Sequence, residues 1–363
     1  MRTTTNQNYS YYPVLDGLRG LAVLLVVFYH NFGFINYFFF GWLGVDLFFV
    51  LSGFLITDIL LKTKNAPTYL RNFYARRLLR IFPLYYVVLF IFLVLFPLFN
   101  IKLLNLDYYI HNQIWIWTYL QNWLFIFHPP YKTSALDHFW SLAVEEQFYL
   151  VWPFVILLFR KSRDVIYLLG FLLVGVITLR FVIWNYHIEN LAYFNLYTFS
   201  RIDGICIGSM LAVFRVTNPK AVNRYFTFIV LGLAALNFGF YFFNKGNRFS
   251  YPYLAIAGYT TFAVVFGLLV NEGVEQQNVF VKQIFSFSFL KFFGKISYSL
   301  YIFHWPLYLM LSPILTAWFS KHLVIINGHI ASSIIATLLS ILLAFLSFHF
   351  FEKRFLALKR KFT

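Results

Sequence analysis

The chain has 363 residues, 61% hydrophobic, 23% aromatic and only 12% charged, with a mean hydropathy of +0.70. A soluble domain is nearer a quarter charged, so this balance excludes an ordinary soluble enzyme and reads as an all-α, polytopic membrane bundle. The net charge of +16 does not point to nucleic acid, because the basic residues gather at the ends of apolar runs rather than on one module. One cysteine, Cys206, lies in an apolar run, so neither a disulfide framework nor a cysteine metal site is expected, and no metal is assigned. No cleavable signal sequence is expected, because a polar and aromatic stretch opens the chain and no small-x-small site follows the first helix.

Ten membrane spans are expected, at 14–34, 41–61, 81–99, 141–159, 165–184, 200–214, 225–243, 252–270, 296–318 and 328–350. With the N-terminus inside, only Lys102, Lys132, Lys245, Arg248 and Lys321 fall in outer loops, and Arg180 and Arg201 fall at or within spans. The other 22 of the 29 lysines and arginines lie inside, which places both termini in the cytoplasm.

The first span contains LDGLRGLAVLLVVFYHN, residues 15–31. At about 100° per residue, Arg19 and His30 fall within roughly 20° of each other and Asp16 within about 60° of Arg19. One face of this helix is therefore polar. An ionisable group at membrane depth costs about 2.5–3.5 kcal/mol even on a lenient insertion scale, so this face looks into protein or a wet cavity. In the second span, GWLGVDLFFVLSGFLIT, Asp46 sits near the outer end, and Ser52 and Gly53 suit close helix packing.

A cytoplasmic connection then runs into the third span as YARRLLRIFPLYY. Arg76, Arg77 and Arg80 stand at i,i+3 and i,i+4 spacing before the apolar run, where they converge on one anion beside the free N–H groups of a helix start. Residues 100–140 are rich in Tyr and Trp and read as an external segment, part of it re-entrant or lying on the surface. In DHFWSLAVEEQFYLVWP, Ser141 is the expected N-cap of the fourth span, and Glu145, Tyr149 and Trp152 share one face. Burial of one of Glu145 and Glu146 is expected. The sixth span opens SRIDGICIG with Arg201 beside Asp203, and the ninth reads KISYSLYIFHWPLYL with Tyr298 and His304. Pro306 is expected to break or kink the ninth helix near His304. The tail FEKRF is expected at the inner surface.

Six stretches, DGLRG with His30, GVDLFFVLSGFLIT, RRLLRIFP, WSLAVEEQFYL, RIDGICIG and ISYSLYIFHWP, together resemble the acyltransferase-3 family of integral-membrane acyltransferases. They come in the family's order from about residue 12 to 355, so the whole chain reads as one acyltransferase domain. The resemblance implies ten helices in the bacterial cytoplasmic membrane. It also implies transfer of an acyl group, usually acetyl, from cytoplasmic acetyl-CoA to a hydroxyl of a cell-envelope glycan or glycolipid. Coenzyme A carries phosphates and does not cross a bilayer, so its anchor is expected at Arg76, Arg77 and Arg80, with Arg19 nearby. His30 is the expected general base or transient acyl carrier, with Glu145 or Glu146 orienting it or binding the acceptor. Asp46, Arg201, Asp203, Tyr298 and His304 are the expected substrate-binding residues. Members often end in Glu-x-Pro, whereas Glu352-Lys353-Arg354 stands here, and no role is assigned to that end. Many also carry a C-terminal SGNH-type esterase domain; with the sequence ending soon after the tenth span, a separate envelope partner would take that part.

A proton-coupled transporter is the rival reading, since buried His, Glu, Asp and Arg also suit a carrier. Carriers built by duplication show two similar halves, and no second LDGLRG-like or VEEQ-like segment occurs.

Overall fold

The computed structural model describes residues 12–99, 106–130, 133–186, 192–217, 226–243, 254–276, 278–321 and 325–362. Among these the chain is helical, with no strand. The principal helices are α1 Pro13–Phe32, α2 Leu43–Thr63, α3 Tyr69–Phe90, α4 Trp140–Leu158, α5 Ser162–Asn185, α6 Asp203–Thr217, α7 Phe226–Phe243, α8 Tyr259–Glu275, α9 Ser288–Phe319 and α10 Ile325–Leu346. Eight described helices are long and apolar enough to cross a membrane. They match the first five and last three expected spans, so the chain is a multi-pass membrane bundle. The sixth expected span falls on α6, whose 15 residues reach about 22 Å, short of a ~30 Å hydrocarbon core. The seventh falls on α7. Of the basic residues used to orient the chain, Arg2, Lys102, Lys132, Lys220, Arg224, Lys245 and Arg248 lie outside the described residues, as does Thr363.

Glycine lets the central helices touch backbone to backbone. A Cβ on Gly53 of α2 would collide with the Ile205 carbonyl of α6, and one on Gly208 of α6 with the Val50 carbonyl of α2. Hydroxyls complete this crossing, with Thr57 Oγ1 donating to Ser209 Oγ at 2.8 Å and Ser209 Oγ to the Gly53 carbonyl at 3.2 Å. Close small-residue contact of this kind drives association where no hydrophobic effect acts between helices.

Several expectations change. Arg76, Arg77 and Arg80 do not precede a helix, because α3 already begins at Tyr69. They project from its third and fourth turns, where the backbone N–H groups are used within the helix and add nothing to an anion site. Ser141 caps nothing: a 3-10 turn, Asp137–Phe139, leads into α4, and Ser141 Oγ meets the Tyr301 hydroxyl at 2.5 Å. Pro306 does not break α9, which runs 32 residues through both Pro306 and Pro313. Within the FEKRF tail Lys353 and Arg354 are exposed, but Glu352 turns inward. It ends a π-helical segment, Ser347–Glu352, is buried, and accepts hydrogen bonds from Ser299 Oγ (2.5 Å) and Ser347 Oγ (3.2 Å).

Within the aromatic segment expected outside the membrane, the described residues form three short helices, Asp107–His111, Gln113–Trp117 and Gln121–Phe127. Gln147 of α4 holds it in place, donating to the Tyr119 carbonyl (2.8 Å) and Asn122 Oδ1 (2.9 Å) while accepting from Thr198 Oγ1 (2.6 Å).

Candidate active site

Two chambers lie inside the bundle, and α1, α2, α4 and α9 contribute to both. The smaller, about 100 Å³, is lined by Arg19 of α1, Ser52 of α2, Arg77 and Arg80 of α3, Glu145 and Tyr149 of α4, and Tyr298 and Tyr301 of α9. We call it the arginine chamber. The larger, about 660 Å³, is lined by Tyr29 and His30 of α1, Trp42 just before α2, Asp137, His138 and Trp140 around the start of α4, Arg201, Tyr259, and Trp305 of α9. This is the histidine chamber. Val45 borders both. Eleven residues at 1.5 Å each put His30 about 16 Å beyond Arg19 along α1. Between them Tyr301 donates to the His138 carbonyl (2.6 Å) and contacts Ser141 Oγ, forming part of the partition.

In the arginine chamber, three arginines stand near one carboxylate. Glu145 accepts from Ser52 Oγ (2.9 Å) and from the Tyr149 hydroxyl (3.1 Å), so its face looks at α2. Glu146 does not line the chamber. Arg77 lies over the Tyr149 ring at 5.3 Å, and Arg19 is paired with Asp16 at 2.8 Å. Arg76 points away from the chamber, its Nη1 lying 3.4 Å from the Phe362 carbonyl. The expected triad is thus replaced by Arg19, Arg77 and Arg80, an assembly of positive charge suited to a multiply charged phosphate ligand.

The histidine chamber contains a network that fixes a tautomer. His304 Nδ1 lies 2.8 Å from the Tyr301 carbonyl and 3.1 Å from that of Leu300. Carbonyls only accept, so the His304 proton sits on Nδ1 and its Nε2 carries the lone pair. That Nε2 is 3.1 Å from His30 Nδ1, which also lies 3.0 Å from the Val26 carbonyl. Both neighbours are acceptors, so His30 holds its proton on Nδ1, leaving Nε2 as the basic nitrogen of a ring that lines the chamber. His304 is fully buried and lies behind His30 rather than on the chamber wall.

The other expected site residues form cross-helix ties. Arg201 and Asp203 do not pair with each other. Arg201 pairs with Asp46 of α2, and its guanidinium lies over the Tyr259 ring at 4.0 Å. Asp203 pairs with Arg180 of α5 at 2.8 Å and accepts from Thr260 Oγ1 at 2.7 Å. All four charged side chains are buried, Asp46 included, although its place near a span end favours exposure. Only Arg201 reaches the chamber wall. Tyr298 lines the arginine chamber and donates to the Ile81 carbonyl at 2.7 Å.

Asp137, His138, Trp305 and Arg180 were not singled out by sequence reasoning. The DHFW stretch lies just before an apolar run and reads as a loop. Arg180 is a lone charge inside an apolar span, a signal that burial and pairing would have explained. Among the described residues no group of three or more His, Cys, Asp or Glu is arranged to hold a metal ion.

The profile of an acyltransferase domain family matches residues 12–349. The chain belongs to that acyltransferase family. The match takes in both chambers. Peptidoglycan O-acetyltransferase OatA of Listeria monocytogenes is 30% identical over 370 residues, covering 97% of this chain and 57% of that protein. The provisionally named peptidoglycan O-acetyltransferase YrhL of Bacillus subtilis is 31% identical, covering 96% of this chain and 55% of its own. A provisionally named O-acetyltransferase of Staphylococcus aureus (strain COL) is 32% identical over 81% of this chain and 50% of its own length. This acyltransferase-family chain therefore spans about half the length of the curated relatives it matches. No solved structure matches it.

Proposed function

We propose that this acyltransferase-family chain moves an acetyl group from acetyl-CoA, bound at the arginine chamber, to a hydroxyl of a cell-envelope glycan in the histidine chamber. The observation that carries this reading is the two-chamber layout. An arginine cluster on α1 and α3 and a histidine on α1 with a fixed lone pair stand about 16 Å apart along α1. Peptidoglycan is the favoured acceptor because the relatives are named for it. The surplus of inner-loop lysine and arginine supports a bacterial cytoplasmic membrane setting with the arginine chamber towards the cytoplasm.

His30 Nε2 takes the proton of the acceptor hydroxyl as its oxygen attacks the thioester carbonyl, and returns it to the departing thiolate. His304 is a positioning residue: the hydrogen bond from His30 Nδ1 holds the ring and shares the charge that develops on it. Arg19, Arg77 and Arg80 bind phosphate, and Glu145 keeps Tyr149 and Ser52 in register on the chamber wall.

The test pairs binding with turnover. In His30→Ala, acetyl transfer to a soluble peptidoglycan fragment should fall by about 10²–10⁴-fold, while coenzyme A binding and folded yield stay unchanged. In Arg77→Ala and Arg80→Ala, coenzyme A affinity should fall about ten- to a hundred-fold, the loss of a charge-assisted phosphate contact. Retained transfer in His30→Ala, or unchanged coenzyme A affinity in a folded double arginine variant, would overturn the proposal.

A further inference from the structure

His138 is a buried polar side chain that the chemistry above leaves unused. It is 3% exposed and lines the histidine chamber, yet neither ring nitrogen has a hydrogen-bond partner. Carbonyl groups of Ala135, Tyr301 and Ile302 lie around the ring without closing a hydrogen bond. Leaving a buried donor and acceptor unmet is costly, and a bound ligand would recover that cost.

The ring is nonetheless fixed. Its backbone carbonyl accepts from the Tyr301 hydroxyl at 2.6 Å, and its ring centroid stands 5.2 Å from Tyr301, 4.7 Å from Phe139 and 5.0 Å from His304. It faces His30 across 6.4 Å between centroids. A neutral imidazole carries one N–H donor. That of His30 is committed to Val26 and His304. Trp305 Nε1 is committed to the Ser134 carbonyl at 3.1 Å, and Arg201 is held by Asp46 through Nη2, while its Nε and Nη1 have no hydrogen-bond partner.

We propose that His138 is a second catalytic residue, whose ring N–H donates a hydrogen bond to the carbonyl oxygen of the acyl thioester as negative charge builds on it. The inference rests on the reading of His30 as base. In the step, the acceptor oxygen bonds to the carbonyl carbon and the π pair moves onto the carbonyl oxygen, which His138 stabilises. The hydroxyl proton goes to His30 Nε2. Collapse restores the carbonyl, breaks the C–S bond and expels coenzyme A as thiolate, which takes the proton from His30. One ester and one free thiol result.

Donation to the carbonyl oxygen helps any nucleophile, water included. His138→Leu should therefore slow both acetyl transfer to a peptidoglycan fragment and the acceptor-independent hydrolysis of acetyl-CoA. Each should fall by about 10²–10³-fold, the usual loss on removing one oxyanion donor. Coenzyme A affinity and folded yield should not change. His138→Asn, which restores an N–H near the same place and guards against misfolding of the leucine variant, should recover at least about tenfold of the loss. Full activity in folded His138→Leu, or slowed transfer with unchanged hydrolysis, would overturn the proposal. An inactive His30→Ala beside an active His138→Leu removes this proposal alone; an active His30→Ala removes the reading beneath it.

Discussion

A histidine acts as a base through whichever nitrogen lacks the proton, and in this protein a second histidine decides which one that is. His304 Nε2 can only accept from His30 Nδ1, because its own Nδ1 faces two carbonyls. Replacing His304 with Leu removes that acceptor and leaves Val26 alone to hold the His30 proton. We expect kcat to fall about ten- to a hundred-fold, the worth of a hydrogen bond to a group that becomes charged, with KM for acetyl-CoA unchanged. His304→Gln, whose amide oxygen accepts, should restore part of the rate. Equal losses in kcat and folded yield for both variants would make His304 a packing residue only. Of this dyad, His30 is legible in the sequence, since an ionisable residue on the polar face of an apolar helix calls for a partner. Its partner is not, because 274 residues separate the two. His138 was passed over for a different reason: one histidine before a span has many innocent explanations, and only its empty hydrogen-bonding ring marks it out.

At the scale of the helix, apolar runs predict where elements lie and poorly predict where they start. α3 is the clearest case. Its first turns are basic and polar, so hydropathy places the start at residue 81, whereas hydrogen bonding carries the helix back to Tyr69. That shift moves the arginines from a helix end to a helix side. The α2–α6 crossing shows the converse, a feature whose cause is visible in sequence as small residues but whose partner is not. Gly53→Ala and Gly208→Ala each force a Cβ into the opposing backbone, so both should lower folded yield and melting temperature sharply, by about 1–3 kcal/mol or more for an overpacked contact. Gly170→Ala and Gly175→Ala in α5 meet nothing within 4 Å and should be neutral or slightly stabilising. Thermal-shift measurements in detergent check all four. Comparable losses in the two pairs would contradict the crossing.

Taken whole, the molecule sets a cation-rich compartment and a histidine-lined compartment in a bundle where buried Asp46, Arg201, Asp203 and Arg180 are tied in pairs. The ties between Asp46 and Arg201 and between Asp203 and Arg180 join α2, α5 and the start of α6. Breaking one would strand a buried charge, so they hold the histidine chamber's shape. The helical class and the places of eight spans were legible from composition and run length. The division into two chambers was not, because it depends on which residues of α1, α2, α4 and α9 share a level in depth. The claim that most needs testing is that one catalytic centre passes an acyl group between faces of the membrane. Inside-out vesicles from bacteria expressing the protein, given radiolabelled acetyl-CoA outside, measure it directly. We predict ester-linked label on glycan enclosed in the vesicles, and its loss when His30 is replaced by Ala. Label confined to the outer face, or equal labelling of the enclosed glycan by the His30→Ala protein, would contradict the account.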